Sequence, residues 1–164
     1  MLESMQEEDR LEPAAAADAP EMARMSRHLI ERGLAWRWTE RRIRGVLRDA
    51  DVASVVARRD PVLLGFALMQ YDFSNRQAHL LLLAVAPTAR RRGLGHGLVE
   101  WLEKIARLGG IRRVDLEVRE DARESQAFYR RLGYHAVGRA PHYYEGRLGA
   151  VRMERLLEAS SPGQ

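Results

Sequence analysis

The 164 residues contain no cysteine, and a single lysine, Lys104, stands among 27 basic residues. Without cysteine the chain has no disulfide, no thiolate metal site and no cysteine nucleophile, which excludes a cysteine acyl-enzyme. Long apolar runs are missing too. The longest, Leu80 to Ala86, suits one buried strand and falls far short of the roughly 18–20 residues of a membrane span. The opening MLESMQEEDR is acidic and polar, unlike a secretory leader, so a soluble cytoplasmic protein is expected. His28, His79, His96, His135 and His142 stand at no metal-ligand spacing, and no metal is expected.

What is present is ordinary globular material, 46% hydrophobic and 30% charged, in a length that fits one domain. The formal net charge is +4 and the pI about 9.9. A genome rich in G and C explains an arginine excess as readily as an anionic partner does, so the placing of the arginines matters more than their number.

The chain divides into a polar tail at 1–8, one domain over 9–157 and a tail at 158–164. Leu11 to Pro13 suits a short edge strand. Asp18 can cap a helix that has Pro20 and Glu21 in its first turn and Gly33 at its end. A second helix starts at Thr39 and carries Ile43, Val46 and Leu47. The period then changes to that of strands: Ser54 to Ala57, Val62 to Tyr71 and Ala78 to Ala86, an antiparallel meander. The stretch HLLLLAVA predicts a central strand covered on both faces. A helix follows over Leu94 to Leu108, then a strand over Val114 to Val118, a helix over Glu124 to Leu132, and closing strands at Tyr134 to Val137 and Leu148 to Leu156.

The most informative segment is Val85-Ala86-Pro87-Thr88-Ala89-Arg90-Arg91-Arg92-Gly93-Leu94-Gly95. A buried strand ends, a glycine-containing loop turns, and an amphipathic helix begins. Unpaired N–H groups and the macrodipole at such a helix start favour an anion. Gly93 and Gly95 leave room for close approach of a phosphate, and three arginines add charge. No Lys-Ser/Thr follows, so this is not a Walker loop. The preceding meander does not suit a dinucleotide fold.

Arg90-Arg91-Arg92-Gly93-Leu94-Gly95 preceded by Val85-Ala86-Pro87 resembles the Q/R-x-x-G-x-G/A signature of the GNAT superfamily of acetyl-CoA-dependent N-acetyltransferases. LEVR (Leu116 to Arg119) and AFYRRLGY (Ala127 to Tyr134) strengthen the resemblance, which covers nearly the whole chain. Within the superfamily the chain is most similar to the ribosomal-protein alanine N-acetyltransferase branch, through LEVR, Tyr129 and His142-Tyr143-Tyr144. The resemblance implies an α/β fold, a mixed and mostly antiparallel twisted sheet of about six or seven strands flanked by about four helices. It implies that two central strands splay apart and hold acetyl-CoA between them. The pantetheine arm would pair with the strand Leu80 to Val85, with Leu83, Ala84 and Val85 nearest the thioester. The pyrophosphate would lie at Arg90, Arg91, Arg92, Gly93, Leu94, Gly95, His96 and Gly97.

Acetyl transfer needs an amine that has lost its proton, a polarised carbonyl and a stabilised leaving thiolate. Direct attack in a ternary complex is the simplest route. Strict alternation in Val114 to Arg119 turns Asp115, Glu117 and Arg119 away from the core. The resemblance assigns the base to Glu117 and the acid to Tyr129. Phe128 and Leu132 share a helix face, which leaves Tyr129 freer to face a cleft. Two positions depart from the family pattern: Ala122 replaces an asparagine that contacts the coenzyme, and Gly149 replaces an aspartate before Ala150.

Trp36, Trp38, Tyr143 and Tyr144 are candidates to line an acceptor groove. The expected acceptor is a protein or peptide N-terminus, with a small amine such as a polyamine, amino acid or aminoglycoside as the alternative. A non-catalytic acyl-CoA-binding protein is a further reading. The interspersed acidic residues and the lack of a helix-turn-helix argue against nucleic acid, and either a monomer or a homodimer is compatible with the sequence.

Overall fold

The computed structural model describes residues 9–158; the expected tails, except for Glu158, lie outside the described residues. Strand β1 (Arg10–Glu12) leads into a 3-10 turn (Ala16–Asp18) and helix α1 (Ala19–Met25), which widens into a π turn (Ser26–Ile30). Helix α2 (Glu40–Leu47) and strands β2 (Val52–Arg59), β3 (Val62–Asp72) and β4 (Gln77–Val85) follow. A 3-10 turn (Pro87–Ala89), helix α3 (Leu94–Leu108), β5 (Arg113–Arg119), α4 (Arg123–Arg131), β6 (His135–Tyr144) and β7 (Leu148–Leu156) complete the chain. Among the described residues no helix is long and apolar enough to cross a membrane.

The seven strands form one sheet in the order β1-β2-β3-β4-β5-β7-β6. All neighbours are antiparallel except β4 and β5. Turn chemistry sets the meander: the Asp72 carboxylate accepts from Ser74 Oγ at 2.8 Å and Asn75 Nδ2 at 2.7 Å, closing β3 onto β4. The parallel contact needs the α3 crossover. That helix starts at Gly93, whose φ of +77° suits glycine, and stops at Gly109.

Helices cover both faces. On one side Leu94, Leu98, Leu102 and Ala106 of α3 and Tyr129 of α4 pack with Val114, Leu116 and Val118 of β5. On the other, Met22 and Ala23 of α1 and Ile43 of α2 pack on Val56, Phe66 and Leu68. Buried Glu103 on α3 accepts from Arg155 Nη1 at 2.9 Å and from the Tyr134 hydroxyl at 3.1 Å, tying the helix to β7. Removing one partner of such a buried pair costs about 3–5 kcal/mol.

One sequence expectation needs correction, and another gains detail. Asp18 precedes α1, but its side chain does not cap that helix. It accepts from the Ala15 amide at 2.8 Å and pairs with Arg58 of β2. A charge-assisted partner forty positions away outcompetes the local cap. The run HLLLLAVA is covered on both faces as expected, though not by simple alternation. Met69 pairs with Leu80 and Leu68 with Leu82, so Leu81 is an extra residue, a β-bulge. Ala78 and Leu80 therefore join the α3 side, and Leu82 and Ala84 join the α1–α2 side.

Candidate active site

Past Ala89 the chain crosses exposed Arg90, Arg91 and Arg92. Arg90 Nε donates to the Val85 carbonyl at 3.3 Å, which folds the loop back on the end of β4. The first α3 backbone bond runs from Gly97 N to Gly93 O at 3.0 Å. The amides of Leu94, Gly95 and His96 thus lie in the first turn without helical acceptors. A Cβ at Gly93 would meet nothing within 4 Å, whereas one at Gly95 would lie 3.1 Å from the Phe128 ring. Open space for an approaching anion is therefore a property of Gly93, and Gly95 is small because Phe128 packs on it. Outward amides, an open glycine and adjacent guanidinium groups fit a pyrophosphate.

Strands β4 and β5 pair only at Gln77–Arg113, Ala78–Val114 and His79–Asp115. Beyond His79 they diverge, as the resemblance implies, and Leu83, Ala84 and Val85 keep a partner only on β3. The bulge at Leu81 lies just past the last shared rung. It bends β4 away, leaving backbone groups of one edge facing the gap.

At the fork, alternation turns Asp115, Glu117 and Arg119 to the partly exposed face of β5 and buries Val114, Leu116 and Val118, as the sequence predicts. Glu117 Oε2 lies 2.9 Å from His79 Nε2, and Glu117 Oε1 lies 4.0 Å from Arg152 Nε. His79 Nδ1 pairs with the Asp115 carboxylate. Burial alone would lower the His79 pKa, but the two carboxylates outweigh it and raise it to about 9. In the sequence His79 stands only among histidines without metal-ligand spacing. Its polar side chain at the head of an apolar run was the available signal.

Tyr129 departs from the expected exposure. It is the buried member of its helix face, while Phe128 and Leu132 are half-buried. Its ring packs edge-on against Phe128 and Tyr134 with centroids 5.1 and 5.8 Å away. Burial raises its pKa, with the Tyr144 side chain adding to the shift. Its hydroxyl has no hydrogen-bond partner among the described residues. The two departures from the family pattern also have local accounts. Ala122 is half-buried against the core before α4. A Cβ at Gly149 would sit 2.5 Å from Glu120 Oε2, so Glu120 fills the space an aspartate would need.

A cleft of about 490 Å³ opens beside Glu117, lined by Trp38, Tyr143, Tyr144, Leu81 and Arg119 among others. Trp36 does not line it; it is 40% exposed, with the Arg27 guanidinium 5.1 Å from its ring. Buried Glu31 shapes one wall by accepting from the Arg37 and Trp38 amides at 2.7 and 3.1 Å. Glu145, in the β6–β7 turn, accepts from the Ala35 amide at 2.6 Å and ties the two walls together. Arg119 Nη1 donates to the carbonyls of Arg32 at 2.6 Å and Ile30 at 3.2 Å. Glu31 and Glu145 carry no motif of their own, so only the structure reveals them.

The forked mixed sheet carries open helix-start amides on one side of the gap and a carboxylate-bearing cleft on the other. The chain belongs to the acetyltransferase (GNAT) family, whose model matches residues 9–134. Over 101 residues it is 30% identical to the catalytic subunit of the N-terminal acetyltransferase B complex of Schizosaccharomyces pombe; the match is 60% of this chain and 53% of that protein. The chain thus spans about half the length of that relative. Its fold is similar to that of the ribosomal-protein alanine N-acetyltransferase from Escherichia coli, with a TM-score of 0.79 at 22% identity over 96% of this chain and 99% of the other. It is similar also to NAA60 of Arabidopsis thaliana, solved in complex with acetyl-CoA, with a TM-score of 0.78 at 19% identity over 92% and 99%.

Proposed function

We propose that the protein transfers acetyl from acetyl-CoA to the N-terminal amine of a protein or peptide, by direct attack in a ternary complex. The observation that carries this reading is the placing of Glu117 at the fork of β4 and β5, where the gap between the strands meets the aromatic cleft. Acetyl-CoA supplies an activated acyl group on sulfur. The amides of Leu94, Gly95 and His96, with Arg90, Arg91 and Arg92, would hold its pyrophosphate. The free edge of Leu83 to Val85 would receive the pantetheine arm and direct an amide toward the thioester carbonyl.

Trp38, Tyr143 and Tyr144 orient the acceptor. Glu117 takes the amine proton, directly or through water, as the new C–N bond forms. The C–S bond breaks, and Tyr129, kept protonated by burial, gives its proton to the leaving sulfur. A carboxylate is a weak base for a lysine ammonium near 10.4. It is better matched to an α-amine near 7.7–8.0, of which a useful fraction is already neutral at pH 7. The tie between Glu145 and Ala35 across the cleft walls also suits a chain end.

The test is acetylation of peptides with free and blocked N-termini, polyamines and aminoglycosides, read by mass spectrometry. Free N-termini are expected to react and blocked ones to fail. Glu117→Gln is expected to lower kcat at pH 7 by about 10²-fold or more while acetyl-CoA still binds in calorimetry. Turnover of small amines alone would replace the acceptor, and an unchanged kcat would remove Glu117 from the role.

A further inference from the structure

Among the described residues, His79 is the only side chain that touches both carboxylates of the fork. Asp115 and Glu117 stand two apart on one face of β5, where their charges repel. The imidazole lies between them, Nδ1 on Asp115 and Nε2 2.9 Å from Glu117 Oε2. A neutral imidazole has one donor and one acceptor nitrogen, and an acceptor nitrogen aimed at a carboxylate is repulsive. Two carboxylates on two nitrogens therefore select the doubly protonated ring.

We infer that His79 is a positioning residue: lodged between Asp115 and Glu117, its doubly protonated ring holds Glu117 Oε2 and leaves Oε1 for the acceptor amine or a relay water. The inference rests on the reading of Glu117 as the base and goes beyond it by assigning what fixes that base. Register explains why the position is available: His79 and Asp115 form the last rung before the strands diverge. A side chain there belongs both to the acceptor cleft and to a groove of about 600 Å³ on the Asp115 side.

The other groups that face this ring support a cation. Asp51 and Asp72 lie across the groove, and uncharged Gln70 is the β3 register partner. On β7, Glu154 stands opposite Asp115 and Arg152 opposite Glu117, and from β6 Tyr143 faces Glu117. In the cleft Glu31 and Glu145 oppose Arg37, Arg42 and Arg119. The carboxylates raise the His79 pKa to about 9 against its burial.

The experiment combines an NMR titration of the His79 ring in the full chain with kcat and acetyl-CoA affinity of the variants. In the wild type the ring is expected to titrate near pH 9 and to drop toward the ordinary range in Asp115→Asn. In His79→Gln kcat is expected to fall by about 10-fold or more with the acetyl-CoA affinity unmoved, and His79→Lys, which restores a cation, to recover most of the loss. A merely structural histidine would lower coenzyme affinity and melting temperature together, and lysine would not rescue it. A ring titrating at or below about 6.5 in the wild type overturns the inference even if His79→Gln fails to fold. Full activity in Glu117→Gln removes the base reading. Loss of activity in Glu117→Gln with full kcat in His79→Gln removes the role of His79 alone.

Discussion

At the scale of single residues, Tyr129 is the sharpest test of the chemistry. Its ring is part of the α3-side core, yet its hydroxyl makes no hydrogen bond among the described residues. Tyr129→Phe should therefore leave the melting temperature unmoved and lower kcat by about 10²-fold, the scale of a lost proton donor. A variant with full kcat would make Tyr129 a packing residue. Its phenol, burial-shifted upward, remains a donor throughout the neutral range, so its part in the reaction should add no alkaline limb below pH 9. Legibility at this scale was uneven for a physical reason. Strand alternation and the LEVR motif are local, and they placed Glu117 on its face without any knowledge of the sheet. His79 takes its meaning from a rung between strands 36 positions apart in sequence, which no local pattern contains.

Among the elements, α3 was readable to its ends because glycine bounds it on both sides and an apolar stripe runs between. Gly93 holds φ +77° in open space, so Gly93→Ala meets no clash and pays only in backbone strain, about 1–2 kcal/mol. The expected result is a melting temperature lower by about 2–8 °C and weaker acetyl-CoA binding by calorimetry. An unchanged affinity would show that the loop geometry around Gly93 does not set the anion site. Strand β4 was less readable. Four consecutive leucines carry no period, so the extra residue at Leu81 leaves no trace in the pattern. Asp18 was misassigned for a related reason. The local cap signal was genuine, but Arg58 arrives from β2 and takes the carboxylate.

For the whole molecule, the composition spoke truly about class and little about partners. The excess positive charge includes three exposed arginines beside the α3 start, where a phosphate ligand would neutralise them. Saturating acetyl-CoA, at about 100 times its Kd, should stabilise the fold by about 2.7 kcal/mol, a rise of roughly 5–10 °C in melting temperature. Raising the salt from about 0.1 M to 1 M should shrink that rise, since the Debye length falls from about 10 to 3 Å. A rise insensitive to salt would mean that the arginines contribute little to coenzyme affinity. ATP should give a smaller rise than coenzyme A, because it cannot occupy the free edge of Leu83 to Val85.

The bulge at Leu81 has a consequence for how such a protein can change. Every side chain around the fork can be exchanged while β4 still bends away, because the bend comes from the number of residues between Met69's partner and Leu68's partner. Substitution can therefore retune what the gap accepts. To close the gap, the chain would have to lose the extra residue; Leu82 and Ala84 would still pair with Leu68 and Phe66 and stay on the α1–α2 side, so the fork would go while these core positions kept their places.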